Sequence, residues 1–146
     1  MNIIELKPDA LYKIKPLWEK LNHLHRERSD HFADHFHRFT FEDRIREFAG
    51  KPHLAVFAAG TGPDEYQAYC IVSADGDAGE VDSLYVDPEC RGKGIGRKLM
   101  ERALDWLSGT GCAKVRISVA RGNEQALDFY ETFGFKPRFL VLERPK

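Results

Sequence analysis

The sequence is poor in cysteine, in net charge and in long apolar runs, and each shortage excludes a class of protein. Its 146 residues include only Cys70, Cys90 and Cys112, with no C-x-x-C pair. This argues against a disulfide framework or a thiolate zinc site and favours a reducing cytoplasm. Lys and Arg number 22 and Asp and Glu 23, so no overall basic field indicates nucleic-acid binding. No run approaches the roughly 20 apolar residues of a membrane helix, and the N-terminus lacks the layout of a signal peptide.

The composition that remains is that of an ordinary folded domain. Hydrophobic residues make up 42% of the chain and charged residues 31%, which is within the globular range. A chain of this length has room for a real core. Because no repeat, linker or low-complexity tract interrupts it, we expect a single domain over residues 1–146.

Apolar periodicity predicts strands and helices in alternation. Strands are expected at 2–6, 53–59, 65–74, 80–86, 115–119, 135–139 and 140–142. Helices are expected at 8–24 (capped by Asp9 and kinked or split at Pro16), 40–50 (with a Thr40–Asp43 capping box), 94–108 and 123–133 (capped by Asn123). The strand–helix–strand unit around 94–108 implies one parallel pair. The prediction is an α/β (α+β) fold with a mixed, mostly antiparallel sheet of about six to seven strands and about four helices.

A basic glycine-rich turn joins the strand at 80–86 to the next helix. Gly92, Gly94 and Gly96 alternate there between cationic side chains. Glycines let backbone N–H groups approach a ligand, and the helix N-terminus behind them favours an anion, so the turn predicts a polyphosphate site. The nucleotide P-loop pattern fails because position 97 is Arg97 and no Ser or Thr follows Lys98. The dinucleotide pattern G-x-G-x-x-G fails at Arg97 and Leu99.

The segment 91–96 resembles the pyrophosphate loop of the GCN5-related N-acetyltransferase (GNAT) superfamily, whose pattern is Gln/Arg-x-x-Gly-x-Gly/Ala. A second segment, with Asn123, Ala126, Phe129 and Tyr130 before Phe133-Gly134-Phe135, is similar to the family's other cofactor segment. Together they cover roughly residues 53–136. The resemblance implies a GNAT-like fold and direct transfer of an acetyl group from acetyl-CoA, as cosubstrate and without a metal, to a primary amine.

The resemblance also implies which residues form the site. Tyr130 would be the general acid that protonates the CoA thiolate, and Glu80 the general base, with Asp82 or water as alternatives. The backbone N–H of Leu84 would face the acetyl oxygen. The full cofactor-binding set would be Leu84, Tyr85, Val86, Arg91, Gly92, Lys93, Gly94, Ile95, Gly96, Arg97, Asn123 and Ala126.

Several alternatives stay open at this stage. A non-catalytic CoA-binding or regulatory module on the same fold is the rival function. The acceptor is either a small-molecule amine or a protein amine. The histidine-rich segment 23–37 contains His31 and His35 at helical i, i+4 spacing; a solvated helix face is favoured over a metal site, and the resemblance implies an acceptor-pocket wall. Residues 139–142 fit either a core strand or an edge strand shared in a homodimer.

Overall fold

One five-stranded sheet organises the computed structural model, which describes residues 1–146. Its strands lie in the order β1-β2-β3-β4-β5. Strands β1 to β4 pair antiparallel, and β5 pairs parallel with β4. Their bounds are β1 Asn2–Leu6, β2 His53–Gly62, β3 Glu65–Asp75, β4 Ala78–Val86 and β5 Lys114–Ile117.

Five α-helices and three 3-10 segments connect these strands. The α-helices are α1 Lys15–Arg28, α2 Ala33–Arg38, α3 Phe41–Phe48, α4 Ile95–Thr110 and α5 Leu127–Glu131. The 3-10 segments are Pro8–Ile14, Pro88–Cys90 and Glu124–Ala126. None of the helices combines the length and the apolarity needed to cross a bilayer.

Both faces of the sheet are buried, because side chains alternate between two apolar clusters. Phe57 and Cys70 point toward α4, where they pack with Leu99. Their neighbours Val56 and Tyr69 point the other way, toward α1 and α3. The central strands therefore read as nearly continuous apolar runs, as expected for a sheet covered by helices on both sides.

Of the two N-terminal caps predicted at Thr40 and Asp9, the structure contains one. The predicted capping box is confirmed: the Asp43 N–H donates to Thr40 Oγ1 at 3.1 Å, and the Thr40 N–H donates to Asp43 Oδ2 at 2.9 Å. The predicted cap at Asp9 is wrong, since the 3-10 segment starts after Lys7 without a side-chain cap. The chain splits before Pro16, which lies in the first turn of α1. Its missing N–H has no intrahelical partner to lose at that position.

The predicted strand count is too high. Residues 135–146 form no strand, and Phe139, Leu140, Val141 and Leu142 are 63%, 82%, 81% and 91% exposed. An apolar run predicts burial, but a strand also requires a pairing edge. The edge strand β5 has only four residues, and Pro137 has no N–H to donate.

The predicted helix at 123–133 is also shorter than expected. It breaks into the 3-10 turn Glu124–Ala126 and the five-residue α5. Asn123 precedes the turn but makes no capping hydrogen bond. Its Oδ1 instead accepts hydrogen bonds from Arg28 and Gln125.

Two glycines test how tightly α4 packs on the sheet. A Cβ at Gly79 would lie 2.7 Å from Cys112 Sγ and 2.9 Å from Leu107 Cδ2, whereas a Cβ at Gly109 meets nothing within 4 Å. We expect Gly79→Ala to lower the free energy of unfolding by about 1–3 kcal/mol through overpacking. Gly109→Ala, within a helix, should raise it by up to about 1 kcal/mol. Urea unfolding measures both, and equal stability of the two variants would contradict this packing.

Candidate active site

The parallel ladder between β4 and β5 is short, and this opens a gap in the sheet. Pairing runs from Ala78 with Lys114 to Val81 with Ile117 and then stops. Strand β4 continues to Val86, so residues 82–86 have no strand partner on the β5 side. Unpaired backbone N–H and C=O groups need other partners, which a ligand in the gap can supply.

A bulge in the β3–β4 ladder lies at the mouth of this gap. Ile71 pairs with Ser83 and the next residue, Val72, pairs with Val81, so Asp82 is the extra residue. Bulges redirect side chains and end regular pairing. The backbone turns at the place where β4 leaves β5.

The gap holds a cavity of about 70 Å³. Strand β4, the chain after β5, helix α1 and the segment before and within α5 all contribute to its wall. The lining residues are Leu21, His25, Val81, Asp82, Ser83, Leu84, Ile117, Ser118, Val119, Ala120, Asn123 and Tyr130. The cavity is smaller than the pockets that bury whole small molecules, so it suits the reactive head of a longer ligand.

Tyr130 brings an unbonded hydroxyl to this cavity. Its ring packs edge-on against Phe129 and Phe135, with centroid distances of 5.4 and 6.5 Å. Burial raises the pKa of Tyr130 to about 12, and no hydrogen bond between the hydroxyl and a protein group contributes to this shift. At neutral pH the phenol is therefore a protonated donor without a partner in the protein.

Asp82 is the buried carboxyl group of the site. Its side chain is only 1% exposed and lies 3.9 Å from Lys51 Nζ. Ser73 Oγ donates to it at 2.6 Å. Burial, together with the neighbouring Glu80 carboxylate, raises the pKa of Asp82. Glu80 itself lies beside Asp82 and does not line the cavity.

Among the histidines of segment 23–37, His25 alone lines the cavity. It lies one turn after Leu21 on the same face of α1, a spacing that could have singled it out in the sequence. His31 and His35 attract attention there by their own i, i+4 spacing. They join no group of three or more metal-ligating side chains, because the structure contains no such group.

The glycine-rich turn ends at the free N-terminus of α4. Gly92 and Gly94 have φ angles of +77° and +82°, a region that side chains disfavour. No acidic residue or side-chain cap occupies the first turn of α4, so its N–H groups are free to bind an anion. A Cβ at Gly96 would make only ordinary contacts with Phe129 and Val86, which agrees with a Gly/Ala position.

The two arginines of the turn are held by the protein. Arg91 Nε donates to the Val86 carbonyl at 2.9 Å, and its guanidinium lies 5.8 Å from the Tyr85 ring centroid. Arg97 donates to Thr132 Oγ1 at 2.9 Å and lies over the Phe133 ring at 4.5 Å. All three cationic side chains of the turn, Arg91, Lys93 and Arg97, are exposed, and these contacts hold the two arginines at fixed positions.

The structure brings only some of the predicted site residues to the cavity. Leu84, Asn123 and Tyr130 meet at the cavity. The side chains of Tyr85 and Ile95 are buried in the two cores, so only their backbone can reach a ligand. Ala126 lies in the 3-10 turn before α5, outside the cavity wall.

Comparison with known proteins gives consistent matches. The sequence profile of the acetyltransferase (GNAT) family matches residues 17–135. The peptidyl-lysine N-acetyltransferase YjaB of Salmonella typhimurium is 31% identical over 105 residues, which span 72% of this chain and 65% of that protein. The chain thus spans slightly less than two thirds of this relative.

Two solved structures share the fold. The BH1408 protein of Bacillus halodurans, as a tetramutant, superposes with a TM-score of 0.79 at 19% identity, over 100% of both chains. The aminoglycoside N-acetyltransferase AAC(6')-Iy in complex with CoA superposes with a TM-score of 0.68 at 17% identity, over 99% of both chains. Identities this low support the likeness in fold alone.

The raised pKa of Asp82 predicts a pH-dependent stability. Because the folded protein binds this proton more tightly than the unfolded chain, ionisation destabilises the fold as pH rises above the ordinary carboxyl pKa of about 4. In Asp82→Asn the amide can still accept from Ser73 and donate to Glu80. We expect the variant to gain stability relative to wild type from about pH 4 toward neutral pH.

Urea unfolding of both proteins across this pH range measures the difference. The exposed Asp75→Asn variant controls for the loss of one negative charge from the same sheet. Parallel stability curves for wild type and Asp82→Asn would contradict the burial of an ionisable carboxyl group at this position.

Proposed function

This chain belongs to the acetyltransferase (GNAT) family, and on that premise we propose that it is an N-acetyltransferase. It would move the acetyl group of acetyl-CoA directly to a primary amine. The observation that carries the proposal is the gap beside β4, which has the uncapped N-terminus of α4 at one end and Tyr130 in its wall. An extended thioester with a diphosphate tail matches this layout.

The donor would lie along β4. Its pyrophosphate would bind the free N–H groups at the start of α4, with Lys93 and the fixed charges of Arg91 and Arg97 nearby. The pantetheine arm would pair with the unpaired backbone of residues 82–86 and contact Asn123. The thioester would then enter the cavity, where the backbone N–H of Leu84 would stabilise the oxyanion.

Tyr130 is the proposed general acid. Its high pKa keeps the proton on the phenol at neutral pH, and a developing thiolate in the cavity would be a stronger proton acceptor than water. The resemblance predicts Glu80 as the base. Glu80 lies beside Asp82 and outside the cavity wall, so it would act through Asp82 or water rather than by direct contact with the acceptor.

The acceptor proposed first is a lysine-type primary amine, because the relative YjaB is a peptidyl-lysine N-acetyltransferase. The AAC(6')-Iy likeness makes aminoglycosides a second class to test. The rival, a CoA-binding module without catalysis, has the same anion site and differs only in turnover.

Other features of the protein stay predictions. We propose one acetyltransferase domain over residues 1–146, working in the cytoplasm without a nucleic-acid or membrane partner. The three free cysteines and the formal charge of −1 support this. A homodimer that uses the exposed residues 139–142 and the free edge of β5 is also a prediction.

Turnover is the direct test of the proposed function. Release of the CoA thiol is followed with acetyl-CoA and a panel of primary amines, including an Nα-blocked lysine peptide, polyamines, amino acids and an aminoglycoside. We expect turnover with at least one amine, and a kcat about 100-fold lower for Tyr130→Phe because the general acid is lost. Acetyl-CoA affinity should stay close to that of wild type.

Tyr12→Phe, at an exposed tyrosine outside the site, is the matched control and should retain full activity. Acetyl-CoA binding without turnover on any amine would favour the non-catalytic module. Equal kcat values for wild type and Tyr130→Phe would remove Tyr130 from the mechanism.

The anion site gives a second prediction. Gly94→Asp places a strained side chain and a negative charge at the pyrophosphate position, so calorimetry should show acetyl-CoA binding more than about tenfold weaker. Gly111→Asp imposes similar strain at the other end of α4, where φ is +78°, and should leave the affinity unchanged. Gly96→Ala should also bind normally. Unchanged affinity in Gly94→Asp would refute the assignment of the loop.

A further inference from the structure

The C-terminal end of α1 packs against the segment before α5, next to the cavity. Arg28 donates from its guanidinium to Asn123 Oδ1 at 3.2 Å. A Cβ at Gly122 would lie 2.6 Å from the Arg28 carbonyl oxygen, so the backbone before α5 lies directly against the end of α1. This contact holds His25 at the wall of the gap, across from β4.

No hydrogen bond from a protein group to the His25 imidazole contributes to its pKa shift, which comes from burial and from Arg28. Its ring packs against Phe36 at a centroid distance of 5.4 Å and an interplanar angle of 44°, and the residue also lines the cavity. The neighbouring His23 differs, because its Nε2 lies 2.9 Å from Glu27 Oε1 on the outer surface of the helix. His25 is thus positioned by apolar packing and left free to bind a ligand.

The carboxylates of β4 are poor candidates for direct proton transfer. The Asp82 side chain is 1% exposed and accepts a hydrogen bond from Ser73, so an acceptor amine cannot reach it without displacing that contact. Glu80 does not line the cavity. A general base must come within hydrogen-bond reach of the proton it removes.

We propose that His25 is the general base, contacting the acceptor amine and taking its proton, a role that rests on the proposed acetyltransferase function. The amine would enter from the α1 side of the gap, while the thioester enters along β4. His25 and Tyr130 line the same cavity, so one cavity holds both a proton acceptor and a proton donor.

In the proposed reaction, His25 and Tyr130 account for every proton transfer. His25 takes one proton from the ammonium, and the freed lone pair forms the C–N bond while the carbonyl electrons move to oxygen. The intermediate collapses with cleavage of the C–S bond, and the thiolate takes the Tyr130 proton. Tyr130 regains a proton from the nitrogen as it becomes an amide, and His25 releases its proton to water.

The charges around His25 favour the neutral imidazole that a base requires. Burial and the Arg28 guanidinium lower the pKa of His25. The other titratable groups that face the cavity are Asp82 from β4 and Tyr130 from α5. Activity should therefore rise with pH through an inflection below the ordinary imidazole value of about 6.5.

The test compares His25→Gln with wild type on the best amine of the panel. We expect kcat to fall by about 100-fold or more, acetyl-CoA affinity by calorimetry to stay unchanged, and the acidic inflection of the pH profile to disappear. In His25→Ala, added imidazole should restore part of the lost rate. His53→Gln, at an exposed histidine that begins β2, is the matched control and should behave as wild type.

A measurement on the unaltered protein keeps the proposal testable if the variants fold poorly. NMR titration of the His25 ring in wild type should give a pKa that matches the kinetic inflection. A mismatch, an inflection that persists in folded His25→Gln, or a rise in acceptor KM at unchanged kcat would overturn the proposal. Failure of wild type on every amine is a different result, and it would overturn the proposed function and this base together.

Discussion

The early end of the β4–β5 ladder is the constraint on which the rest of the molecule depends. If β5 paired with β4 as far as Val86, the backbone N–H and C=O groups of β4 would all be hydrogen-bonded within the sheet, and there would be no gap between the two strands. Because β5 stops at Ile117, five residues of β4 are left without partners on one side. Strand β4 is hydrogen-bonded along its other edge to β3, which keeps β4 in place while the edge on the β5 side stays open.

The two faces of the sheet then supply different parts of the site. Helix α4, on one face, brings its N-terminus and the glycine-rich turn to the end of β4. Helix α1, on the other face, brings His25 over the gap and is fastened there by Arg28 and Asn123. Donor and acceptor would therefore approach from opposite layers, and the cavity is their meeting point.

Local chemistry made much of this predictable. The Thr40–Asp43 capping box was confirmed, whereas the donor site that the alternating glycines and the segment from Asn123 to Tyr130 indicate stays a prediction. The prediction that was wrong concerns long-range strand pairing. Residues 139–142 are apolar and therefore predict a strand, but no strand of the sheet pairs with them. The spacing of Leu21 and His25 places both on one face of α1, but whether that face meets the cavity depends on the docking of α1 against residues 122–123, which are distant in sequence.

The contact of Arg97 with α5 has a consequence for the order of events. Helix α5 has five residues, too few for a stable isolated helix, and it is held to the start of α4 through Thr132 and Phe133. A diphosphate that orders the α4 N-terminus would thereby also stiffen the helix that carries Tyr130. By linkage, whatever tightens one of these two elements favours the other, so binding of the proposed donor at the α4 N-terminus would be coupled to the positioning of Tyr130.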